Sequence, residues 1–269
     1  MALESGNEDA AIDLVQVECV DGVMIIRMNR PETRNALTPD LRDALGVAVS
    51  AFFADADARC LVITGVGTVF CAGGDLKNFR QRQTFEAARA RMRLSHQWVG
   101  QIMSGRKPVI SVVNGPAVGA GLGLAMMADL VFMADDAYLQ PGFTAVGLVP
   151  DYGLGMILPR LMGPMRAKAF LFNNTRITSQ EALALGLAVE VHAHNVLLEA
   201  ALAQARRLAK GPTQAFGLTK ALIEAGYEIS VADYLEREGD AQALAFTTED
   251  HAEGVAAFQE RRAPFFVGA

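Results

Sequence analysis

The sequence predicts an α/β protein that ends in a helical region, and three observations predict it. Apolar, strand-like runs alternate with helical patterns from Val15 to about Val191. Residues 59–64 (RCLVIT) and Val109–Val113 lack the polar alternation of a half-exposed strand, as parallel strands covered on both faces do. From Asn195 onward only helical patterns remain, so a helical appendage follows the mixed core. The expected division is residues 1–205 for the core and its site, and residues 206–269 for a helical region that associates with other copies.

Each element has a local cause. Val15–Val20 and Val23–Met28 flank Asp21-Gly22, a strong hairpin signal. Thr38-Pro39-Asp40 opens a helix with an N-cap, a first-turn proline and a first-turn acid. Leu41, Leu45, Ala48, Val49 and Phe52 recur at helical spacing and define its buried face. A loop over residues 65–75 follows the next strand, and a polar helix runs over about 85–103. The strand Val109–Val113, a glycine loop, a helix over 120–128 and a short strand over 130–133 come next. Thr178-Ser-Gln-Glu181 is a capping box, Gly186 stops that helix, and residues 187–191 read as a strand. Apolar positions in the tail, among them Leu235, Leu244, Phe246, Val255 and Phe258, exceed the needs of a finished core and predict an oligomer.

A chain of 269 residues can bury a large core. Its formal net charge of −6, with no long basic run, excludes a nucleic-acid surface. The apolar stretch 122–134 is too short to span a membrane and contains Asp129, so no membrane association is expected. Cys19, Cys60 and Cys71 lack metal-knuckle spacing and point to a reducing compartment, the cytoplasm. No metal site is expected.

Two loops carry the chemistry. In residues 112–129 four glycines (115, 119, 121 and 123) separate a strand from an Ala/Met-rich helix. No Lys-Ser or Lys-Thr follows them, which argues against a phosphate loop, while a dinucleotide site or plain close packing would each explain some of the glycines. Residues 64–76 leave a second buried strand through glycines and end in Ala72-Gly-Gly-Asp75-Leu76. Two such loops can aim one N–H each at a single oxygen, an oxyanion hole.

The stretches FCAGGDL (70–76), KPVISVVNG (107–115), GAGLGLA (119–125) and TEDHAEGVAAF (248–258), in this order, resemble the enoyl-CoA hydratase/isomerase, or crotonase, superfamily. The resemblance runs from Asn29-Arg-Pro31 to Pro264 and looks closest to the phenylacetate-pathway isomerase branch. It implies a spiral core of ββα turns with a C-terminal helical trimerisation region, assembled as a homotrimer or a hexamer. It implies an acyl-CoA substrate, with coenzyme A entering as part of the thioester and no permanently bound cofactor. Residue by residue, the hole amides become those of Gly74 and Ala120. Arg34 and Ala36, with backbone groups of Ala72, Asp75 and Leu76, become the coenzyme A contacts. Where some relatives carry a lysine, this chain has Glu32. Phe79 and Phe143, with Leu76, are expected to line the acyl pocket.

Hydratases of this superfamily resemble one another in carrying two glutamates, at positions that here are Gly123 and Phe143. Both carboxylates are absent. Asp151, in Gly147-Leu-Val-Pro-Asp151, matches instead the position of the catalytic acid in relatives that shift double bonds or isomerise ring epoxides. The expected activity is acyl-CoA isomerisation, with Asp151 removing and returning one proton. The competing reading makes Asp151 a helix cap ahead of residues 153–158. Tyr152 could donate to Asp151 or simply pack. His192 and His194 read as surface residues, His96 as a packing or solvent residue, and Cys71 as a packed thiol.

Overall fold

The computed structural model describes residues 14–75 and 83–269. Asp21 and Gly22 both take positive φ, 53° and 76°, so the hairpin turn matches the right-handed twist of its strands. It joins β1 (Val15–Val20) to β2 (Val23–Met28) in antiparallel register, Val20 opposite Val23. β3 (Cys60–Gly65), β4 (Val109–Val113), β6 (Leu130–Ala134) and β9 (Glu190–His192) then add in parallel, giving the order β1-β2-β3-β4-β6-β9. Every residue of β3 and β4 is buried, as their unbroken apolar runs require.

A second sheet holds three very short strands, β5 (Ala117–Val118), β7 (Tyr138–Gln140) and β8 (Ile177–Thr178). Runs of two or three residues carry no readable alternation, and sequence reasoning missed them. The strand expected at 187–191 begins only at Glu190, because Gly186 (φ 73°) is followed by Leu187 and Ala188 folding back onto the Ala182 carbonyl.

Helix α1 (Pro39–Ala54) starts where Thr38 accepts from the Leu41 N–H, and its buried face includes the five residues its spacing marks. Helix α2 (Phe85–Ser104) starts with Thr84 accepting from Ala87 N–H and buries Ser95, Trp98, Val99 and Ile102. The two helices pack together at Gly46, where an added Cβ would lie 2.9 Å from the Trp98 ring. Helix α3 (Ala120–Met126) follows β5 and stops two residues earlier than expected. Then come α4 (Leu154–Met162), α5 (Pro164–Asn173), α6 (Ser179–Ala184, with its capping box formed), and α7 (His194–Ala209). α7 packs on β3, β4 and β6, so the sheet-covering layer extends through residue 205 to Ala209.

Helices α8 (Thr213–Ala225), α9 (Val231–Phe246) and α10 (Glu249–Glu260) complete the chain. α8 is tied to the core by Lys220, whose Nζ donates to the Ile102 carbonyl and pairs with Asp129 at 2.9 Å. α9 buries none of its residues within this chain. Among the described residues no helix is long and apolar enough to cross a membrane.

Candidate active site

The two glycine loops meet through a parallel bridge between Cys71 and Ala117. Cys71 N–H donates to Pro116 O at 3.2 Å, and Val118 N–H donates to Cys71 O at 2.9 Å. Only glycines allow this approach. A Cβ at Gly121 would lie 2.3 Å from Cys71 O, and one at Gly73 (φ 90°) would lie 2.6 Å from Val118 O. Three residues beyond the bridge in each loop stand Gly74 and Ala120.

The ladder leaves their N–H groups available. Leu37 bridges Gly74 by donating to Gly73 O at 2.8 Å and accepting from Asp75 N–H at 3.4 Å. Strand alternation therefore turns the Gly74 N–H away from Leu37. Ala120 is the first residue of α3, where a backbone donor has no partner within the helix. Among the described residues neither N–H meets an acceptor, and both residues line one cavity. Gly74 is half-buried and Ala120 buried, and backbone donors so placed are rarely left without an acceptor, which marks the cavity they line as a candidate site.

Asp151 lines the same cavity, with Tyr152 beside it. Tyr152 (φ 50°) and Gly153 (φ 78°) take successive left-handed conformations, an abrupt turn from the Pro150 loop into α4. The strain at Tyr152, about 1–2 kcal/mol for a non-glycine residue, is held by burial of its ring edge-on to Trp98 at 5.4 Å. The N-cap of α4 is Gly153, and no side chain caps it; Asp151 contributes only its carbonyl, to Leu154 N–H. The capping alternative for the Asp151 side chain is thus removed. Tyr152 does not donate to Asp151 Oδ1 either; its ring packs edge-on against Trp98.

Oδ1 of Asp151 is buried and accepts no hydrogen bond. Burial pushes this carboxyl up to about 6, against the lowering effect of its own N–H and of the Arg42 and Arg91 charges. A group with that value exists in both protonation states near neutrality, as an acid/base must. Burial also pushes the Cys71 thiol up to about 12, and its Sγ donates to Asn35 O, so it is an inert packed thiol.

The other residues singled out in the sequence fall in several places. Asp75 lines the cavity. Arg34, Ala36 and Ala72 do not; Ala72 N–H donates to Arg34 O at 3.0 Å. Arg34 is exposed, and Glu32 pairs with Arg30. Phe143 does not line this cavity but is buried in the core, and its carbonyl accepts from Leu148 N–H. Leu76 and Phe79 lie outside the described residues. His192 bonds to Glu190 at 2.7 Å, and among the described residues no group of three potential ligands is placed to hold a metal.

Sequence reasoning missed Arg42 of α1 and Arg91, Met92 and Ser95 of α2, all of which line the cavity. Arg42 follows the N-terminal Leu41 by one residue, and Ser95 is the polar member of a buried helical face; only the packing of α1 on α2 brings them to one wall.

Similarity to known proteins agrees with this geometry. A family model described as enoyl-CoA hydratase/isomerase matches residues 18–269. The chain is 35% identical over 250 residues, 92% of this chain and 95% of the other, to a 1,2-epoxyphenylacetyl-CoA isomerase of Escherichia coli (strain K12). It is 34% identical to a probable enoyl-CoA hydratase of Rhodobacter capsulatus, covering 94% of this chain and 98% of that one. Its fold superposes on the crystal structure of a putative enoyl-CoA hydratase from Streptomyces coelicolor A3(2) with a TM-score of 0.91 and 33% identity, over 100% of this chain and 98% of that chain. With its parallel sheet, its paired glycine loops and these similarities, the chain has the crotonase fold and belongs to the enoyl-CoA hydratase/isomerase family.

Proposed function

We propose that this chain is an acyl-CoA isomerase in which Asp151 is the single acid/base and the N–H groups of Gly74 and Ala120 form the oxyanion hole. A thioester carbonyl oxygen seated between those two donors becomes more negative as a neighbouring carbon loses its proton. Two preorganised amides stabilise that charge, and losing one such donor typically costs about 3 kcal/mol. The Asp151 carboxylate takes the proton, the electron pair spreads into a dienolate, and the same carboxyl returns the proton to a different carbon. No atom is gained or lost.

One observation carries isomerisation over hydration. A Cβ at Gly123 would lie 2.7 Å from Tyr152 Cβ, so the place of one hydratase glutamate is filled, and Phe143 at the other is apolar and buried. The likeness to an isomerase supports the same reading. Asp75, on the same cavity, favours one alternative: water addition with Asp75 as the second carboxylate. Assays with 3-enoyl and 2-enoyl thioesters separate the two. Conversion of the 3-enoyl to the 2-enoyl ester without hydroxyacyl product supports isomerisation; hydroxyacyl product from the 2-enoyl ester supports hydration; tight binding with no turnover would leave a non-catalytic acyl-CoA binder.

The same proposal includes coenzyme A contacts from Arg34, Ala36 and the Ala72 and Asp75 backbone, action in the cytoplasm, where the free thiols of Cys60 and Cys71 persist, and assembly as a trimer or hexamer. Support for assembly comes from the exposed Val231, Leu235 and Phe246 of α9 and Phe258 of α10. A monomeric mass at micromolar concentration would contradict it.

A further inference from the structure

We propose that Arg42 and Arg91 are positioning residues that act through space on Asp151, holding it as a carboxylate ready to take a proton while leaving its oxygen free for substrate. The inference rests on the reading of Asp151 as the acid/base.

Arg42 comes from α1 and Arg91 from α2, and both line the wall of the cavity that Asp151 also lines. Each charge lowers the proton affinity of that carboxyl. Yet Asp151 Oδ1 accepts a hydrogen bond from neither guanidinium. The Arg42 side chain instead donates through Nε to Thr38 O at 3.4 Å, which fixes it along the helix it belongs to.

Two opposite requirements explain this arrangement. An apolar surround alone drives a carboxyl toward its neutral form, and a neutral carboxyl cannot remove a proton from carbon. A direct salt bridge would cure that but would occupy the oxygen and make it a weaker base. Two cations on the wall of the same cavity favour the charged form, while Oδ1, which accepts from neither, keeps its lone pairs.

Among the described residues, the other groups named around Asp151 add no cation. Tyr152, on the same turn, and Cys71, from the first glycine loop, are both pushed up by burial and so neutral near pH 7. Asp75, from the first glycine loop, is the other acid on the cavity. The two arginines are therefore the cationic groups facing Asp151 among the described residues.

The test follows Asp151 itself by ¹³C NMR of enzyme labelled at aspartate carboxyl carbons, without substrate, the resonance being assigned by its loss in Asp151→Asn. Arg42→Gln and Arg91→Gln are each expected to raise the midpoint by about 0.5–1 unit, and Arg42→Lys to leave it near the parent value. The acid limb of kcat/KM should move with it. An unchanged midpoint in both Gln variants, or equal shifts in Arg42→Gln and Arg42→Lys, overturns the proposal. Should Arg42→Gln not fold, Arg91→Gln from the other helix carries the same expectation. A shifted midpoint in an enzyme that turns over no thioester would count against the isomerase reading and not against the electrostatic role.

Discussion

Gly123 of α3 and Tyr152 of the acid-bearing turn are in such close contact that any Cβ at position 123 would lie 2.7 Å from Tyr152 Cβ. The buried tyrosine thus fills the space that a side chain at position 123 of the helix would need. Gly123→Glu, which restores the hydratase-type residue, is expected to create no hydratase activity and to destabilise the fold by about 2–4 kcal/mol through overpacking and a buried charge. Thermal unfolding together with a 2-enoyl thioester assay checks both parts.

Asp151→Asn separates function from stability. Losing the acid/base should lower kcat by about 10³-fold. The carboxyl is raised in the folded state, to about 6 from 3.8, so folding favours its protonated form. Its contribution to stability is therefore fullest below the usual carboxylate value and declines as pH rises from about 3.8 through 6. At pH 7 the asparagine variant should be more stable than the parent, by roughly 1–2 kcal/mol, and that gain should vanish near pH 4. Urea unfolding at the two pH values measures it.

The activity of the parent enzyme should run the opposite way. Proton removal needs the carboxylate, so kcat/KM is expected to rise with pH through about 6 and then level off. A profile flat from pH 5 to 8 would separate Asp151 from the rate.

How much of this was legible in the sequence depended on the range of the interaction. The hairpin, the capping residues Thr38 and Thr178 and the buried strands β3 and β4 have causes within a few residues, and they form as read. Gly74, Ala120 and Asp151 came from motif resemblance, and the structure brings them to one cavity. Arg42, Arg91 and Ser95 were not legible, because an arginine on an amphipathic helix reads as solvated until α1 meets α2. Phe143 illustrates the same point: an aromatic in a loop can face either the site or the core, and here it is buried, its carbonyl accepting from Leu148 N–H.

The approach of the two glycine loops makes a separate prediction. Gly73→Ala adds a Cβ at a left-handed position, 2.6 Å from Val118 O. The loops must part, at a cost of about 2 kcal/mol or more, and the donors at 74 and 120 lose their common focus. Activity should fall by at least 10²-fold with substrate affinity changed far less, which steady-state kinetics on the folded variant would show.

The tie between α8 and the core is an ion pair on a largely buried acid. Asp129 also accepts from Val109 N–H at 2.8 Å, at the start of β4. Lys220→Met would strand that carboxylate and is expected to cost about 2–3 kcal/mol, less than a fully buried pair because Asp129 keeps some solvent contact. Denaturant unfolding measures the loss, and hydrogen exchange should show it concentrated in α8.

The most direct measurement is a crystal structure with a non-reacting thioester analogue of a 3-enoyl-CoA. The account requires the thioester oxygen at about 3 Å from both the Gly74 and Ala120 nitrogens, with an Asp151 oxygen against the carbon that loses its proton. A thioester oxygen held by other groups, or another carboxylate at that carbon, would contradict it.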